Sequence, residues 1–489
     1  MAMKKTNLIY LLSILTLGLF FTSCKKYLDI NSSPNSVTTI KPGLLFTYSA
    51  VTYATNRAGG DYYIPQALAA QTVSDGGSYG WAQGNAYDIS VYSTGNTWTS
   101  IFVSGGNNLT LAYQISEQSD PVNYAAAAQC KILLAQEIYD ATTLWGDIPY
   151  SEAWQPDSIP YPHFDTQQQV LDSLLSLLDQ AIVEASQSDQ GAITDGDLFY
   201  NGDMTKWKRV ANVMKLRILM MMVDKDPSKA DAIGQLVQSS DLMQSGDDNF
   251  QFPFGTAKGN QNPKFEILDN YGLYFADGRN SQFFAHNAVL KPMLAQDDPR
   301  LIHYFDRPKG QAAFIGVNGG QTADKNTATI SMQLYAADAP ELIVSYQEQL
   351  FFQAEAYARG LGVTKDLDKA NQYYKKALQA ACEYYGVPAK DAEDFADSKS
   401  LLTVADPVKE IHLQQWIDLM DRPNDAFTNW RRSGGPSDDS RVPRLSIPEG
   451  APAGGLFHRW AYPNDAEINA NINAPKDNPQ YYDKLWFEK

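Results

Sequence analysis

Paired histidines, cysteine clusters and phosphate-binding glycine motifs are all missing from this chain of 489 residues. The five histidines, His163, His286, His303, His412 and His458, are scattered, and none stands at metal-ligand spacing from another. Three cysteines, Cys24, Cys130 and Cys382, are too few for a disulfide framework. Asp195-Gly196-Asp197 and Asp247-Asp248-Asn249 lack the full run of oxygen ligands that a calcium loop uses. No glycine-rich nucleotide motif is present. The expectation is no metal and no cofactor. Basic charge is also short, with 39 Lys plus Arg against 56 Asp plus Glu and a formal charge of -17. Such a chain is repelled by phosphate backbones and carries no basic cluster, so nucleic acid is excluded as a partner. Beyond Phe21 no apolar run approaches the ~20 residues that a helix needs to span a bilayer.

What is present begins at the first residue. Met1 to Asn7 is short and basic, Leu8 to Phe21 is apolar, and Thr22-Ser23-Cys24 follows. This is the charged, apolar and small-residue order of a signal peptide. The cysteine stands where the cleaved chain would begin. That placement resembles a bacterial lipobox, in which the thiol takes a diacylglycerol before cleavage. Residues 1–23 are therefore read as a signal peptide, Cys24 as the lipidation site, 24–43 as a polar tether, and 44–489 as a single body. Several acyl chains on one residue give stable anchoring, because each buried CH₂ contributes ~0.8 kcal/mol.

The body has the composition of a globular protein, 44% hydrophobic and 19% charged. Stripes with apolar residues three and four apart predict helices. One holds Val170, Leu171, Leu174, Leu175, Leu178, Ala181 and Ile182. A second holds Trp207, Val210, Met214, Ile218 and Met221, and a third Leu413, Trp416, Ile417 and Met420. Helices over 341–360 and 366–385, separated by Gly360 and Gly362, form a helix hairpin. Its Ala370, Tyr374, Ala377 and Leu378 look like a tetratricopeptide repeat. Cys130 and Cys382 fall within helical patterns and are read as buried thiols, with their pairing left open.

Long segments without a helical period run from Tyr53 to Val103, Asn249 to Leu290 and Arg432 to Asn478. Loops of this length are functional or disordered, and their aromatic content argues against disorder. Aromatic residues make up 12% of the chain, with 28 Tyr, 21 Phe and 9 Trp. Tyr and Trp pair an apolar face with a polar tip, which suits binding surfaces that stay wet.

A series of short motifs then brings a family into view. They are Cys24-Lys25-Lys26-Tyr27-Leu28-Asp29, Gly146-Asp147-Ile148-Pro149-Tyr150-Ser151-Glu152-Ala153, and Ala354-Glu355-Ala356. Gln414-Gln415-Trp416-Ile417 follows, then Ala426-Phe427-Thr428-Asn429-Trp430-Arg431-Arg432, and last Arg459, Tyr462, Pro463, Glu467 and Asn469. In this order and over nearly the whole chain they resemble the SusD/RagB family of Bacteroidetes outer-membrane lipoproteins. The resemblance implies a mostly α fold, with a tetratricopeptide-like helical scaffold and long irregular loops. It implies a non-catalytic, outward-facing outer-membrane lipoprotein. The ligand would be a glycan, or for some members a peptide, and the partner a TonB-dependent outer-membrane transporter.

Glycan binding needs flat rings for the C–H faces of sugars, and amides or charged groups for their hydroxyls. Tyr79, Trp81, Gln83, Asn85, Tyr87 and Trp98 fit this in the first long segment, where Tyr79, Trp81 and Gln83 alternate as on one face of an extended strand. Tyr271, Tyr274, Asp277, Arg279 and Asn280 form a second cluster. Trp81 and Trp98 serve equally well as core residues. Trp145, Trp416, Trp430, Arg431 and Arg432 are read as scaffold. A secreted glycoside hydrolase is the enzymatic alternative, but no carboxylate pair stands out for it.

Overall fold

A computed structural model describes residues 40–76, 87–187 and 190–489. Nearly all of these lie in one compact unit, Pro42–Lys489. Its helices in chain order are α1 (Pro42–Arg57), α2 (Tyr63–Ala69), α3 (Val91–Thr99), α4 (Asn108–Glu117), α5 (Tyr124–Trp145), α6 (Gln167–Ala185), α7 (Met204–Met222), α8 (Ala230–Val237) and α9 (Pro263–Tyr271). They continue with α10 (Asn287–Ala295), α11 (Leu301–Tyr304), α12 (Tyr346–Arg359), α13 (Leu367–Tyr384), α14 (Ala389–Ser398), α15 (Pro407–Asp418), α16 (Pro423–Arg432) and α17 (Ala466–Ala470). Short strands lie between them: β1 (Val73–Ser74), β2 (Phe250–Phe252), β3 (Leu273–Tyr274), β4 (Asn280–Ser281), β5 (Phe284–Ala285), β6 (Phe305–Asp306), β7 (Thr329–Ile330) and β8 (Glu341–Val344). Among the described residues no helix is long and apolar enough to cross a membrane.

The helical scaffold is what its sequence pattern dictates. Five of the long helices open on a side-chain cap that satisfies a free backbone N–H. Asn123 accepts from Ala126 N, Thr166 forms a capping box with Gln169, and Asp203 accepts from Thr205 N and Lys206 N. Ser345 and Asp366 cap α12 and α13 in the same way. Helix α5 is buried almost along its whole length and packs between α4 and α6. The stripe Ala370, Tyr374, Ala377, Leu378 and Ala381 of α13 is buried and lies against α12. Gly360 ends α12 in the left-handed conformation at φ 76°. In the same turn Gly362 meets Gly234 of α8 so closely that a Cβ on either would lie 2.0 Å from the other segment's backbone. Cys130 and Cys382 are both free and buried.

Two expectations are corrected. The helix predicted from Glu341 begins only at Tyr346. Glu341–Val344 is instead strand β8, paired antiparallel with β2 in the register Gln251↔Leu342, and buried throughout. The run Leu342-Ile343-Val344 favours a strand, and the cap at Ser345 starts the helix after it. The described part of the segment from Tyr53 to Val103 is largely helical, not irregular. It holds the end of α1, then α2 and α3, then a π-helix at Ser100–Asn107. Tertiary contacts override the weak propensity of its Ser, Thr, Asn and Gly residues. In the π-helix, Gly105 and Gly106 leave room for the Glu137 carboxylate and the Trp154 ring, each of which a Cβ would strike.

Charges far apart in sequence meet in the interior. Arg57 pairs with Asp140 at 2.5 Å, Glu341 at 3.1 Å and Asp425 at 2.5 Å. Arg217 and Arg422 share Glu348 at 2.6 and 2.8 Å, and Lys264 bridges Glu341 and Asp421. This network ties α1, α5, α7, α9, β8, α12 and α16 together. Removing one member would leave uncompensated charge in a buried site.

Candidate ligand-binding surface

The small sheet has the order β1-β5-β7-β6, with Val73 opposite Ala285 and Phe284 opposite Thr329. From its edge strand β1 the chain runs through Gly76 into the segment that carries Tyr79, Trp81, Gln83 and Asn85. Those four lie outside the described residues. Gly76 has φ 63°, and a Cβ there would stand 2.5 Å from Ala323 and 2.7 Å from Phe284. Gly76 itself therefore lies tightly against Phe284 of β5.

Beside this stem stands the hairpin β3–β4, with Tyr274 opposite Asn280. Tyr271 is 54% exposed and Tyr274 is 73% exposed. Tyr271 closes α9 and Tyr274 stands on the hairpin that follows, which is clamped by Arg279. Arg279 is buried, and its guanidinium donates to Asp277 at 2.9 Å, to the Thr327 carbonyl at 2.8 Å and to the Lys325 carbonyl at 3.0 Å. It also lies 4.6 Å from the Phe275 ring centre, and Phe275 meets Phe284 edge-on. Arg279 thus fastens the hairpin to the segment before β7. The structure places it buried, with three of its five N–H donors bonded within the protein, where the sequence suggested a direct ligand contact. Asn280 is buried too.

The chain re-emerges at Tyr87. Its ring is buried, 5.5 Å from both Phe457 and Tyr481, and its hydroxyl accepts from Gln71 Nε2 at 2.8 Å. The same Gln71 nitrogen donates to the Ser446 carbonyl at 2.7 Å. Burial pushes the Tyr87 phenol well above its ordinary range. Tyr87 is therefore a buried wall residue with its hydroxyl already engaged by Gln71, where the sequence suggested a direct ligand contact. The ring beside it is Tyr481, half-buried and stacked on Phe457 at an interplanar angle of 13°. These rings, with Asp88, Arg459, Asn478 and Gln480, line an open cleft of about 280 Å³. Arg459 Nε is buried there without a partner.

Comparison with known proteins places this architecture. The SusD-like family described as "Starch-binding associating with outer membrane" matches residues 34–462. The chain belongs to this SusD-like family. A solved structure titled a chitin-binding protein is 23% identical, with a TM-score of 0.74, covering 92% of this chain and 100% of its own. A chitin-binding SusD homologue from Flavobacterium johnsoniae is 19% identical, with a TM-score of 0.72 and coverages of 91% and 98%. A SusD/RagB family protein from Bacteroides thetaiotaomicron is 19% identical, with a TM-score of 0.72 and coverages of 92% and 99%. At these identities the likeness establishes the fold: mostly α, a helical tetratricopeptide-like scaffold with a looped lobe. No curated protein matches the sequence.

In this SusD-like protein the remaining candidate, Trp98, belongs to the interior. It is 9% exposed, stacked 4.2 Å from Phe102, and edge-on to Trp145 and Tyr462. Its expected role at the ligand is corrected, because its faces are already covered by other rings. Trp145, Trp416, Trp430, Arg431 and Arg432 are buried, as their reading as scaffold requires. Trp430 donates to the Pro443 carbonyl, and Arg431 stacks on Phe427 at 4.2 Å. Sequence reasoning missed Phe457, Arg459, Asn478, Gln480 and Tyr481. Their one signal was the amide- and proline-rich composition of the last long segment. Among the described residues no group of three or more His, Cys, Asp or Glu is gathered as for a metal ion.

The arrangement offers flat rings on two flanks, at Tyr271 and Tyr274 and at Tyr481. Gly76 precedes the Tyr79–Asn85 segment in the chain and Tyr87 follows it. Amides and one half-satisfied guanidinium stand beside the second flank. Rings with amides at their edges suit a neutral, polyhydroxylated polymer.

Proposed function

We propose that this SusD-like chain is a non-catalytic glycan-binding lipoprotein of the outer membrane. Residues 1–23 serve as its signal peptide, acyl chains on Cys24 anchor it, residues 24–43 form a tether, and the body from 44 onward faces outward. It captures oligosaccharide and hands it to a partner TonB-dependent outer-membrane transporter. The observation that carries this reading is the pair of exposed rings, Tyr271 at the end of α9 and Tyr274 on the adjoining hairpin, which the buried Arg279 clamps. A ring that costs little ordering entropy on binding is a good contact for a weakly hydrophobic ligand. The family description and the chitin-binding titles of two structural relatives point the same way. Tyr79 and Trp81 are proposed to add ring contacts to the ligand, with Gln83 and Asn85 serving its hydroxyls.

Calorimetric titration with chito- and malto-oligosaccharides and with a tryptic peptide mixture tests this. The expected result is saturable binding of one glycan series, and no sugar released on prolonged incubation. Binding confined to peptides would favour a peptide-binding member of the family. Released sugar would favour a hydrolase. Recovery of unacylated mature protein from the cytosol would remove the anchor from the proposal.

A further inference from the structure

A second cleft, of about 480 Å³, opens at the far end of the tetratricopeptide-like hairpin. It lies between α11, the 333–340 loop, β2 with β8, and the C-terminal turn of α13, and shares no lining residue with the aromatic surface. Its size falls within the ~300–1,000 Å³ of small-ligand sites, and so does its make-up of apolar walls with a few converging polar groups.

The walls are Leu334, Pro340, Leu342 and the half-buried Tyr384 ring. The polar groups are Gln251, His303 and Gln333. His303 Nδ1 is buried without a partner, and Tyr384 donates to Gln251 Oε1 over a long 3.3 Å. Gly386 shows that His303 and Gln333 converge. A Cβ at its φ of 90° would stand 3.4 Å from both His303 Nδ1 and Gln333 Nε2, so the missing side chain keeps their polar tips open to the cleft.

Charge at the floor is already compensated. Asp421 accepts from the Tyr63 hydroxyl at 2.6 Å and Lys264 at 2.8 Å. Arg422 donates to Glu348 at 2.8 Å and Asp418 at 2.7 Å. Asp338 stands exposed at the rim. Arg422 keeps one unpartnered donor, Nε, but its charge is matched by two carboxylates, so an anionic ligand would meet no net positive charge here, while a neutral ligand with a C–H face and several hydroxyls would meet a ring, two amides and an imidazole.

We infer that this cleft is a second saccharide site that holds a neutral mono- or disaccharide unit, apart from the aromatic surface. The inference rests on the glycan reading above for its ligand class, and on the cleft alone for its place. Hydrogen–deuterium exchange on the intact chain separates the two, with maltose, diacetylchitobiose or digalacturonate at tens of millimolar. The expected result is slowed exchange over 333–340 and 384–386 with at least one neutral sugar. Gln333→Ala and His303→Ala should raise the concentration for half-protection about three- to tenfold, the worth of one hydrogen bond. Tyr271→Ala and Tyr274→Ala should leave it unchanged. Protection of this cleft without any at the aromatic surface would support this site while removing the other. Three results would overturn the inference: no protection by either neutral sugar, protection indifferent to Gln333→Ala and His303→Ala, or equal protection by digalacturonate.

Discussion

The α12–α13 hairpin and the β3–β4 hairpin each bring two short segments side by side, and they are held in opposite ways. In the first, a repeating row of small and aromatic residues interlocks along eighteen residues of α13, so no one contact decides the geometry. In the second, two-residue strands contribute almost no ladder, and one guanidinium holds the hairpin to the neighbouring segment. Distributed apolar packing makes a platform that tolerates change. Concentrated polar clamping fixes the hairpin through one side chain, and the largely exposed Tyr274 stands on it, with Tyr271 at the adjoining end of α9.

The comparison is sharpened first at the buried ionic network of the scaffold, which is clamped by charge as the hairpin is. Arg57→Met leaves Asp140, Glu341 and Asp425 without a shared cation in a buried site. The expected loss is about 3–5 kcal/mol, read from the denaturant midpoint. It should lower glycan affinity only through the fraction unfolded.

Arg279→Ala should show the reverse balance. Global stability falls by about 1–3 kcal/mol for the stranded carbonyls and Asp277. Affinity should fall about tenfold or more, and limited proteolysis should cut near the hairpin. If affinity were kept while stability fell, the clamp would not serve the surface.

Tyr274→Ala removes a ring that is largely exposed, so the melting temperature should stay within a degree or two while affinity drops several-fold. Trp98→Ala sharpens the contrast from inside. Opening a cavity in the aromatic cluster costs about 3–5 kcal/mol, and any change in affinity should follow stability.

The subtlest test is acid–base. Glu137 is buried beside Gly105 with both oxygens unpartnered, and burial, with repulsion from Asp140, holds its carboxyl well above the usual carboxylate range. The unfolded chain ionises near the ordinary ~4.3. The neutral carboxyl therefore contributes its full stability in acid, and that contribution is lost as pH rises through the folded value. Glu137→Gln should match wild type near pH 4 and become the more stable of the two towards pH 8, as followed by thermal melts across that range.

How much of this was legible follows from the same contrast. The platform helices could be read because a 3.6-residue period repeats along Val170–Ile182, Trp207–Met221 and Leu367–Tyr385. Strand β8 hid because Leu342-Ile343-Val344 runs straight into the pattern of α12. The ionic network hid because Arg57, Asp140, Glu341 and Asp425 carry no local signature and meet only through the fold. In the lobe, Tyr87, Trp98 and Arg279 sit among Gly, Asn and Asp residues that read as exposed loop, yet each is buried by a partner distant in the chain: Phe457, Trp145 and Thr327. Tyr481 completes the second flank from nearly four hundred residues beyond Tyr87.

The most direct test is titration of the intact mature chain with the glycan series it binds, comparing wild type with the Tyr271→Ala/Tyr274→Ala double variant and with Tyr481→Ala, each checked for an unchanged melting temperature. Affinity reduced tenfold or more by the double variant, and less by Tyr481→Ala, is the predicted result. Wild-type affinity in both variants, or a wild-type chain that takes up no glycan at all, would contradict it.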